Sequence, residues 1–256
     1  MTNTVVQNFA ANVCLATGSS PIMSMNGKEA GDLAKLGGAL VINMGTVTSD
    51  TLDAYVAGMK AYNEAGNPVL LDPVGGGATS LRRQTIQTLL RAGFFSVIKG
   101  NEGEIGAVAG TTDVQQRGVD SGPSFSTAAQ KIAMVRSLAE TQRCVVLMTG
   151  ATDYLSDGDR TLSISNGSHW LGRITGSGCA LGSVIASYVA LHRSDKLVAT
   201  VAALLHYEIA AERAEKLCHG PGSFIPAFLD QLYLLGTEIR DGKYDNIGYD
   251  ARIEWL

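Results

Sequence analysis

The chain has 256 residues, 45% of them hydrophobic, and a formal net charge of -4 at pH 7. This length and apolar content are enough for one large buried core, so we expect a single domain over residues 1–256. No basic run stands out, which argues against nucleic acid or an anionic membrane surface as a partner. No stretch reaches the roughly 18 uninterrupted apolar residues that a membrane-spanning helix needs.

The four cysteines, Cys14, Cys144, Cys179 and Cys218, lie far apart in the sequence. They form no Cys-x-x-Cys pair, so the spacing suggests neither a zinc site nor a disulfide framework. The first residues also lack the basic region that opens an export signal. We therefore expect a soluble, cytoplasmic protein with reduced thiols.

Along the first half of the chain, short apolar runs alternate with segments of helical periodicity. The runs at 39–43, 68–72, 95–99 and 144–149 have the composition of buried strands, and helices are predicted at 5–17, 49–65, 81–92, 102–109 and 126–140. This alternation predicts a mostly parallel sheet whose crossover helices cover both faces. The polar segment 110–122 is interpreted as a surface loop.

The pattern changes after Gly150. Strand-like residues at 152–155 and 161–165 flank Asp157-Gly158-Asp159, which is typical of a hairpin and predicts a small antiparallel edge. Helices are predicted at 178–192, 196–218 and 223–235, followed by a polar, solvated tail. The fold class is therefore α/β, with three α/β/α layers.

One chemical signal is the turn Thr175-Gly176-Ser177-Gly178, which opens a helix. N–H groups at a helix start, helped by the helix dipole, bind anions such as a transferring phosphoryl group. The glycines, Gly176 and Gly178, are then candidate catalytic residues. A purely structural turn explains the pattern equally well.

Three further signals follow predicted strands. Asp72 ends the second strand, where it could organise Mg²⁺ or phosphate, or only cap the next turn. Lys99, Asn101 and Glu104 supply a cation, an amide and a carboxylate for phosphate and metal, although Asn101 also suits a helix cap. Thr149 could contact a nucleotide. Because carboxyl ends of parallel strands share one edge, we expect these sites to converge there.

In combination these segments resemble the hydroxyethylthiazole kinases. The resemblance rests on residues 2–12, 20–24, 39–45, 71–75, 97–104 and 175–179, so it covers nearly the whole chain. The segment 220–224 is similar to the kinase half of the fungal bifunctional thiamine-phosphate synthase/hydroxyethylthiazole kinase. The resemblance implies a ribokinase-like fold and ATP-dependent phosphorylation of 4-methyl-5-(2-hydroxyethyl)thiazole with Mg²⁺. It also implies a homotrimer with active sites between subunits.

The resemblance assigns roles residue by residue. It places the thiazole on Asn3, Met23 and Gly176, the nucleotide on Lys99, Asn101 and Thr149, and the metal on Asp72 and Glu104. It puts Cys179 where related enzymes carry an aspartate base. Either a thiolate with a pKa lowered by the helix dipole accepts the alcohol proton, or the thiol only packs there.

Two features depart from the family pattern. The family commonly has arginine at the position of Lys99. Lysine replaces the bidentate phosphate contact of a guanidinium with the single point charge of an ammonium. The family also has a strand ahead of the residues that match Thr2-Asn3, and we expect that strand to be missing here. Either the chain is trimmed from a longer enzyme or the strand is lost. A fused synthase domain upstream is left open.

Three other functions share parts of this pattern. Another ribokinase-like enzyme, such as a pyrimidine kinase or a dehydratase of hydrated nicotinamide cofactors, would usually carry aspartate where Cys179 stands. A non-catalytic nucleotide-binding remnant is favoured only by Lys99 and the short N-terminus. A cysteine hydrolase would need a histidine partner for Cys179, and no histidine has the sequence context for that role.

Overall fold

A computed structural model describes residues 1–111, 126–245 and 250–256 of the chain. Most of the expected loop at 110–122 lies outside these ranges, as does part of the expected solvated tail. None of the helices in the described ranges combines the length and apolar character that a membrane crossing requires.

The described strands form one seven-stranded sheet in which neighbours in sequence are neighbours in space. The first four are parallel and the last three antiparallel. They are β1 (Leu40–Asn43), β2 (Val69–Asp72), β3 (Val97–Asn101), β4 (Val145–Thr149), β5 (Asp153–Ser156), β6 (Thr161–Ile164) and β7 (Ile253–Trp255). The predicted parallel sheet with an antiparallel edge is confirmed.

Helices pack on both sides of this sheet. They are α1 (Gln7–Ala16), α2 (Ala30–Lys35), α3 (Ser49–Glu64), α4 (Ser80–Ala92), α5 (Glu102–Ala109), α6 (Ala128–Gln142), α7 (Ser177–Leu191), α8 (Lys196–Glu215) and α9 (Pro221–Arg240). Short 3₁₀ helices span Gly27–Glu29 and His169–Arg173. The three α/β/α layers predicted from the sequence are present.

Alternate residues of the central strands enter two separate hydrophobic clusters. In β2, Leu70 joins the cluster beneath α1, α7, α8 and α9, whereas Leu71 joins the cluster beneath α3 to α6. In β3, Val97 and Ile98 divide in the same way. Since side chains alternate between the faces of a strand, runs that are apolar at every position are expected when both faces are covered.

The expectation that crossover helices cover both faces is wrong in one respect. The helices that connect parallel strands, α3 to α6, contribute to one cluster only. The other face is covered by α1 and by α7, α8 and α9, which follow the last parallel strand. Parallel strands added in one direction place their crossovers in a single layer, because each connection turns with the same hand.

Several helices begin at side-chain caps that the sequence contains. Thr48, Thr79 and Thr127 accept hydrogen bonds from backbone N–H groups in the first turns of α3, α4 and α6. Asp195 does the same for α8. Each cap satisfies one N–H group that has no partner inside its helix, and this fixes where the helix starts.

Candidate active site

Polar residues stand at the carboxyl ends of the four parallel strands. Asn43 ends β1 opposite Asp72 at the end of β2, and Asn101 ends β3 opposite Thr149 at the end of β4. The carboxyl edge of a parallel sheet is where ligands bind in open α/β folds. The predicted convergence of Asp72, Asn101 and Thr149 at one edge is therefore observed.

The centre of the site is a buried ion pair between Lys99 and Asp72. The Nζ atom of Lys99 lies 3.2 Å from Oδ1 of Asp72, and the two residues are 3% and 0% exposed. Lys99 also donates to the carbonyl of Gly178, at 2.9 Å, in the first turn of α7. The cation therefore bridges the sheet edge and the start of that helix.

The charges of this pair depend on each other. Burial alone would lower the pKa of Lys99, but the carboxylates of Asp72 and Glu104 outweigh burial and raise it. Burial raises the pKa of Asp72, and Lys99 and Asn43 oppose that rise. We describe the pair as an ammonium held by a carboxylate, because each partner favours the charged form of the other.

The side-chain amides of two asparagines connect Asp72 with Cys179 through a chain of hydrogen bonds. Asn43 donates to Oδ2 of Asp72 at 2.8 Å and accepts from Asn3, also at 2.8 Å. The Asn3 amide nitrogen lies 3.5 Å from Sγ of Cys179. The side chains of Asn3 and Cys179 are therefore brought to the same site as Asp72 and Lys99, as the resemblance implied.

The start of α7 depends on Gly176, which precedes its first residue. Gly176 has φ +83°, and a Cβ atom there would lie 2.6 Å from Cγ2 of Val6. This is a left-handed conformation in a confined space, which only glycine adopts at low cost. The hydroxyl of Tyr207 in α8 donates to the carbonyl of Ser177 at 2.8 Å and so stabilises the same turn.

Glu104 lies near Asp72, and its carboxylate accepts hydrogen bonds from backbone N–H groups. Its two carboxylate oxygens accept from the N–H groups of Gly75, at 2.9 Å, and Asn101, at 2.8 Å. Burial and the neighbouring carboxylate of Asp72 raise the pKa of Glu104 to about 7, against the effect of Lys99. Asn101 in turn caps α5 through the N–H of Glu104, so the capping interpretation of Asn101 is confirmed.

The thiol of Cys179 does not have the lowered pKa that the resemblance allowed. Burial and the negative charge of Asp72 raise its pKa to about 11, although Lys99, Asn43 and Asn3 oppose the rise. Desolvation changes the pKa of Cys179 more than the helix dipole does, because a half-buried thiolate loses most of its hydration. Cys179 is therefore a neutral thiol at pH 7 in this structure.

Met23 lies away from the polar cluster, in the wall of a cavity of about 330 Å³. This cavity follows the outer edge of β1 and is also lined by Thr2, Val41 and Ser183. Asn3 and Cys179 are not among its lining residues. Of the three residues that the resemblance assigns to the thiazole, Asn3 is bonded to Asn43 in the polar cluster, Gly176 precedes α7, and Met23 lies in the wall of the separate cavity.

The donor set at this edge suits a hard divalent cation. Burial, and then repulsion by the carboxylate of Asp72, raise the pKa of Glu104, and a bound cation would relieve that repulsion. No group of three or more His, Cys, Asp or Glu residues suited to a metal ion occurs in the described ranges. Two carboxylates fit Mg²⁺, which takes its remaining ligands from water and phosphates.

Some residues that build the site were not identified from the sequence. Asn43 connects Asp72 with Asn3, and its position at the end of an apolar run was the same signal that identified Asp72. Arg82 of α4 donates to the carbonyls of Met44, Gly45 and Val74, and so joins the loops after β1 and β2. Nothing local in the sequence distinguishes Arg82 from the neighbouring Arg83.

Comparisons with known proteins agree with this arrangement. A sequence model described as the hydroxyethylthiazole kinase family matches residues 1–238. Hydroxyethylthiazole kinase of Moorella thermoacetica is 42% identical over 243 residues, which are 94% of this chain and 89% of that protein. A probable thiamine biosynthetic bifunctional enzyme of Schizosaccharomyces pombe is 44% identical over 253 residues; the chain spans about half of it, 48% of its length.

Solved structures give the same result. The structure of a hydroxyethylthiazole kinase protein from Pyrococcus horikoshii has a TM-score of 0.86 and 35% identity, covering 100% of this chain and 91% of that one. A ribokinase-like superfamily protein from Enterococcus faecalis has a TM-score of 0.63 at 10% identity, covering 91% and 85%. The second likeness shows the ribokinase-like fold alone.

Proposed function

Since the chain belongs to the hydroxyethylthiazole kinase family, we propose that it transfers the γ-phosphoryl group of ATP to the primary hydroxyl of 4-methyl-5-(2-hydroxyethyl)thiazole. This is a step of thiamine biosynthesis and salvage. The observation that carries the proposal is the position of Lys99, buried between Asp72 and the carbonyl of Gly178 at the start of α7. A cation and a helix N-terminus are thereby placed side by side, where a transferring phosphoryl group needs both.

In this proposal Lys99 and the first turn of α7 stabilise the charge on the transferring group. Phosphoryl transfer requires little covalent help from the protein, so alignment of the alcohol and neutralisation of charge supply most of the rate. Asn101 and Thr149, at the ends of β3 and β4, contact the nucleotide. Asp72 and Glu104 would hold Mg²⁺, which would supply positive charge to neutralise the phosphate oxygens.

In this proposal the acceptor hydroxyl lies beside Asn3 and Gly176, and its thiazole ring extends toward Met23 in the cavity wall. Cys179 is next to Asn3 there, but a neutral thiol with a pKa of about 11 is a poor proton acceptor at pH 7. We therefore assign Cys179 a packing and polar-contact role near the reacting hydroxyl, with base catalysis a secondary contribution. The non-catalytic alternative has no support, since the ion pair and its neighbours are all in place.

The assembly and location are part of the same proposal. We propose a homotrimer with active sites between subunits, which light scattering tests: the expected mass is three times 26.8 kDa. A cytoplasmic location is consistent with the four cysteines, all of which are free thiols. The Schizosaccharomyces pombe relative is called bifunctional, so a fused synthase domain stays an expectation.

The activity is tested by a coupled ADP-release assay with ATP and Mg²⁺. The thiazole alcohol is compared with hydroxymethylpyrimidine and with no acceptor, and Lys99→Met serves as the inactive control. We expect release that depends on the thiazole and falls sharply in the variant. Release that depends on the pyrimidine would assign another acceptor, and no release from folded protein would overturn the kinase proposal.

A further inference from the structure

The side chain of Arg82, in the first turn of α4, joins the two loops that follow β1 and β2. Its backbone N–H donates to Oγ1 of the capping residue Thr79 at 3.3 Å, which fixes Arg82 at the start of the helix. Its guanidinium donates to the carbonyls of Met44 and Gly45, after β1, and to the carbonyl of Val74, after β2. One half-buried side chain therefore contacts three backbone acceptors in two loops.

Two of these carbonyls belong to peptide units whose N–H groups donate to side chains of the active site. The unit with the Val74 carbonyl also contains the N–H of Gly75, which donates to Oε1 of Glu104 at 2.9 Å. The carbonyl oxygen of Val74 lies 2.6 Å from Nη1 of Arg82. In a trans peptide the C=O and N–H groups point in opposite directions, so a donor on the carbonyl directs the N–H toward Glu104.

The same arrangement occurs after β1. The peptide unit with the Met44 carbonyl, which accepts from Nη1 of Arg82, also contains the N–H of Gly45. That N–H donates to Oδ1 of Asn43 at 3.0 Å, and the same oxygen accepts from Asn3. A Cβ atom at Gly45 would lie 2.5 Å from the Asn3 amide nitrogen, so the two residues are in close contact. Arg82 is therefore linked to the acceptor side through one peptide and to the metal side through another.

A guanidinium suits this position because three carbonyl oxygens converge on it. Carbonyl oxygens that face one another repel, and the positive charge and planar fork of N–H donors in arginine offset that repulsion. The N–H groups of Met44 and Val74 both donate to the carbonyl of Asp72, at 3.1 Å and 2.9 Å. The two loops are thus joined on the N–H side by the end of β2 and on the carbonyl side by Arg82. Removal of the guanidinium would let the carbonyls separate.

We propose that Arg82 is a positioning residue that orients the Met44–Gly45 and Val74–Gly75 peptides and thereby sets the distance between Asn43 and Glu104. Asn43 lies on the side of the acceptor alcohol, and Glu104 lies on the side of the metal and the nucleotide. The proposal rests on the proposed function for the identity of these ligands. In this role Arg82 acts through two peptides and not through contact with the reacting atoms.

The orientation of the two peptides is tested by amide hydrogen exchange of the ligand-free chain, followed by NMR. In Arg82→Met, the N–H groups of Gly45 and Gly75 should exchange roughly tenfold faster, because each peptide loses its charged hydrogen-bond partner. The amides within β1 and β2 should keep their parental rates. Faster exchange throughout these strands would show that Arg82 only stabilises the fold, and unchanged exchange at both glycines would show no effect on the peptides. Either result overturns the proposal.

Arg83→Met is the matched control for every measurement. Arg83 is the next residue of α4 and donates at 2.7 Å to the carbonyl of Gly77, which is also in the loop after β2. The N–H of that peptide, from Ala78, donates to the carbonyl of Gly75 and not to a side chain of the site. Exchange at the two test glycines and kcat should therefore stay within about twofold of the parent values. Equal effects of Arg82→Met and Arg83→Met would contradict the proposal.

The alignment role is tested by separating kcat from KM. In Arg82→Met each substrate still meets its own side of the site, so the KM values for ATP and the thiazole alcohol should stay within about threefold. The turnover number kcat should fall roughly 10- to 100-fold, because a displacement of about 1 Å between the reacting groups costs that much. A raised KM with unchanged kcat would make Arg82 a substrate-binding residue and overturn the positioning role.

Arg82→Lys keeps the test decisive if Arg82→Met does not fold. The lysine ammonium ends one bond short of the arginine Nη atoms, so it keeps the charge but not all three contacts. Exchange should again be faster at Gly45 or Gly75 while the strand amides keep their rates, and unchanged exchange at both glycines would overturn the proposal. Because exchange is measured without ligands, a chain that phosphorylates no thiazole would refute the proposed substrate and leave this result intact.

Discussion

Lys99 is the residue on which the electrostatics of the site depend. It neutralises Asp72 inside the protein, where neither side chain has contact with bulk water. Lysine offers a compact charge with three donors, and here two of them go to Asp72 and to the carbonyl of Gly178. A Cβ atom added at Gly178 would lie 3.5 Å from the lysine Nζ, so the ammonium already lies close to the first turn of α7 and a larger guanidinium would need more space there.

Lys99→Met should lower the free energy of unfolding by about 3–5 kcal/mol, because it leaves the Asp72 carboxylate buried without its partner. The measurement is urea denaturation followed by circular dichroism. Lys35→Met is the matched control: its ion pair with Asp32 is 78% and 84% exposed and should contribute little. Equal changes in the two variants would contradict a stabilising role for the buried pair.

Cys179→Ala should reduce turnover by less than the roughly 100-fold that a full general base contributes, because the thiol is neutral at pH 7. Steady-state kinetics with the thiazole alcohol measure this loss. Cys179→Ser, which keeps a polar group next to Asn3, should lose less than Cys179→Ala. Complete loss of turnover in a folded Cys179→Ala protein would show that the thiol is essential.

At the scale of residues, the sequence identified side chains that end apolar strands. Asp72, Asn101 and Thr149 were found because the run before each of them fixed its place at the sheet edge. The raised pKa of Cys179 was missed because desolvation depends on burial, which the sequence does not give.

The start of α7 depends on a left-handed glycine in a confined space. Gly176→Ala should destabilise the fold by about 1–3 kcal/mol, because its backbone is left-handed and the new Cβ would clash with Val6. Turnover should fall as well, since the clash displaces the first turn. Gly172→Ala is the control, because a Cβ there meets nothing within 4 Å. Thermal unfolding and ADP release measure the two effects, and similar behaviour of both variants would contradict the argument.

Of the four helices on the face of the sheet opposite α3 to α6, three are joined by hydrogen bonds of His206 in α8. Its Nε2–H donates to the carbonyl of Leu232 in α9 at 2.9 Å, and in the neutral ring Nδ1 then accepts from the hydroxyl of Tyr188 in α7, at 2.7 Å. This arrangement uses the neutral imidazole. Burial lowers the pKa of His206, and the positive charges of Arg213 and Arg240 lower it further, against the effect of the Leu232 carbonyl.

His206 should therefore make the fold less stable in acid. The unfolded histidine binds a proton below a pH of about 6.5, while the folded one resists it, so stability present above that pH is lost as the pH falls. Urea midpoints from pH 7.5 down to pH 5 measure the effect. His206→Gln should show a shallower decline over this range, and an unchanged decline would assign it to other groups.

At the scale of elements, the strongly patterned segments were predicted and the short ones were not. The four parallel strands and the hairpin were found from composition and turn residues. The short helix α2 was missed because six residues cannot show helical periodicity. The strand β7 was missed because its residues are exposed and only pairing with β6 makes them a strand, which is a tertiary effect on a weak local preference.

For the whole molecule, the same strands serve both halves of the core. Leu70 and Leu71, or Val97 and Ile98, point into different clusters from adjacent positions. One layer therefore cannot unfold without exposing the reverse side of strands that support the other. The polar site lies at the end of these strands, so its geometry depends on both layers at once.

This shared sheet predicts that the chain unfolds as one domain, in a single transition for probes in either layer. Trp170 packs against one cluster, and Trp255→Phe leaves it as the sole tryptophan. Phe95→Trp, combined with replacement of both natural tryptophans by phenylalanine, places a probe in the other cluster, where Phe95 is buried. In each of the two proteins, the urea transition followed by tryptophan fluorescence should coincide with the transition followed by circular dichroism on the same sample. A fluorescence transition that separates from the circular dichroism in one protein but not in the other would show that the two layers are independent units, and the expectation of a single domain over residues 1–256 would then be wrong.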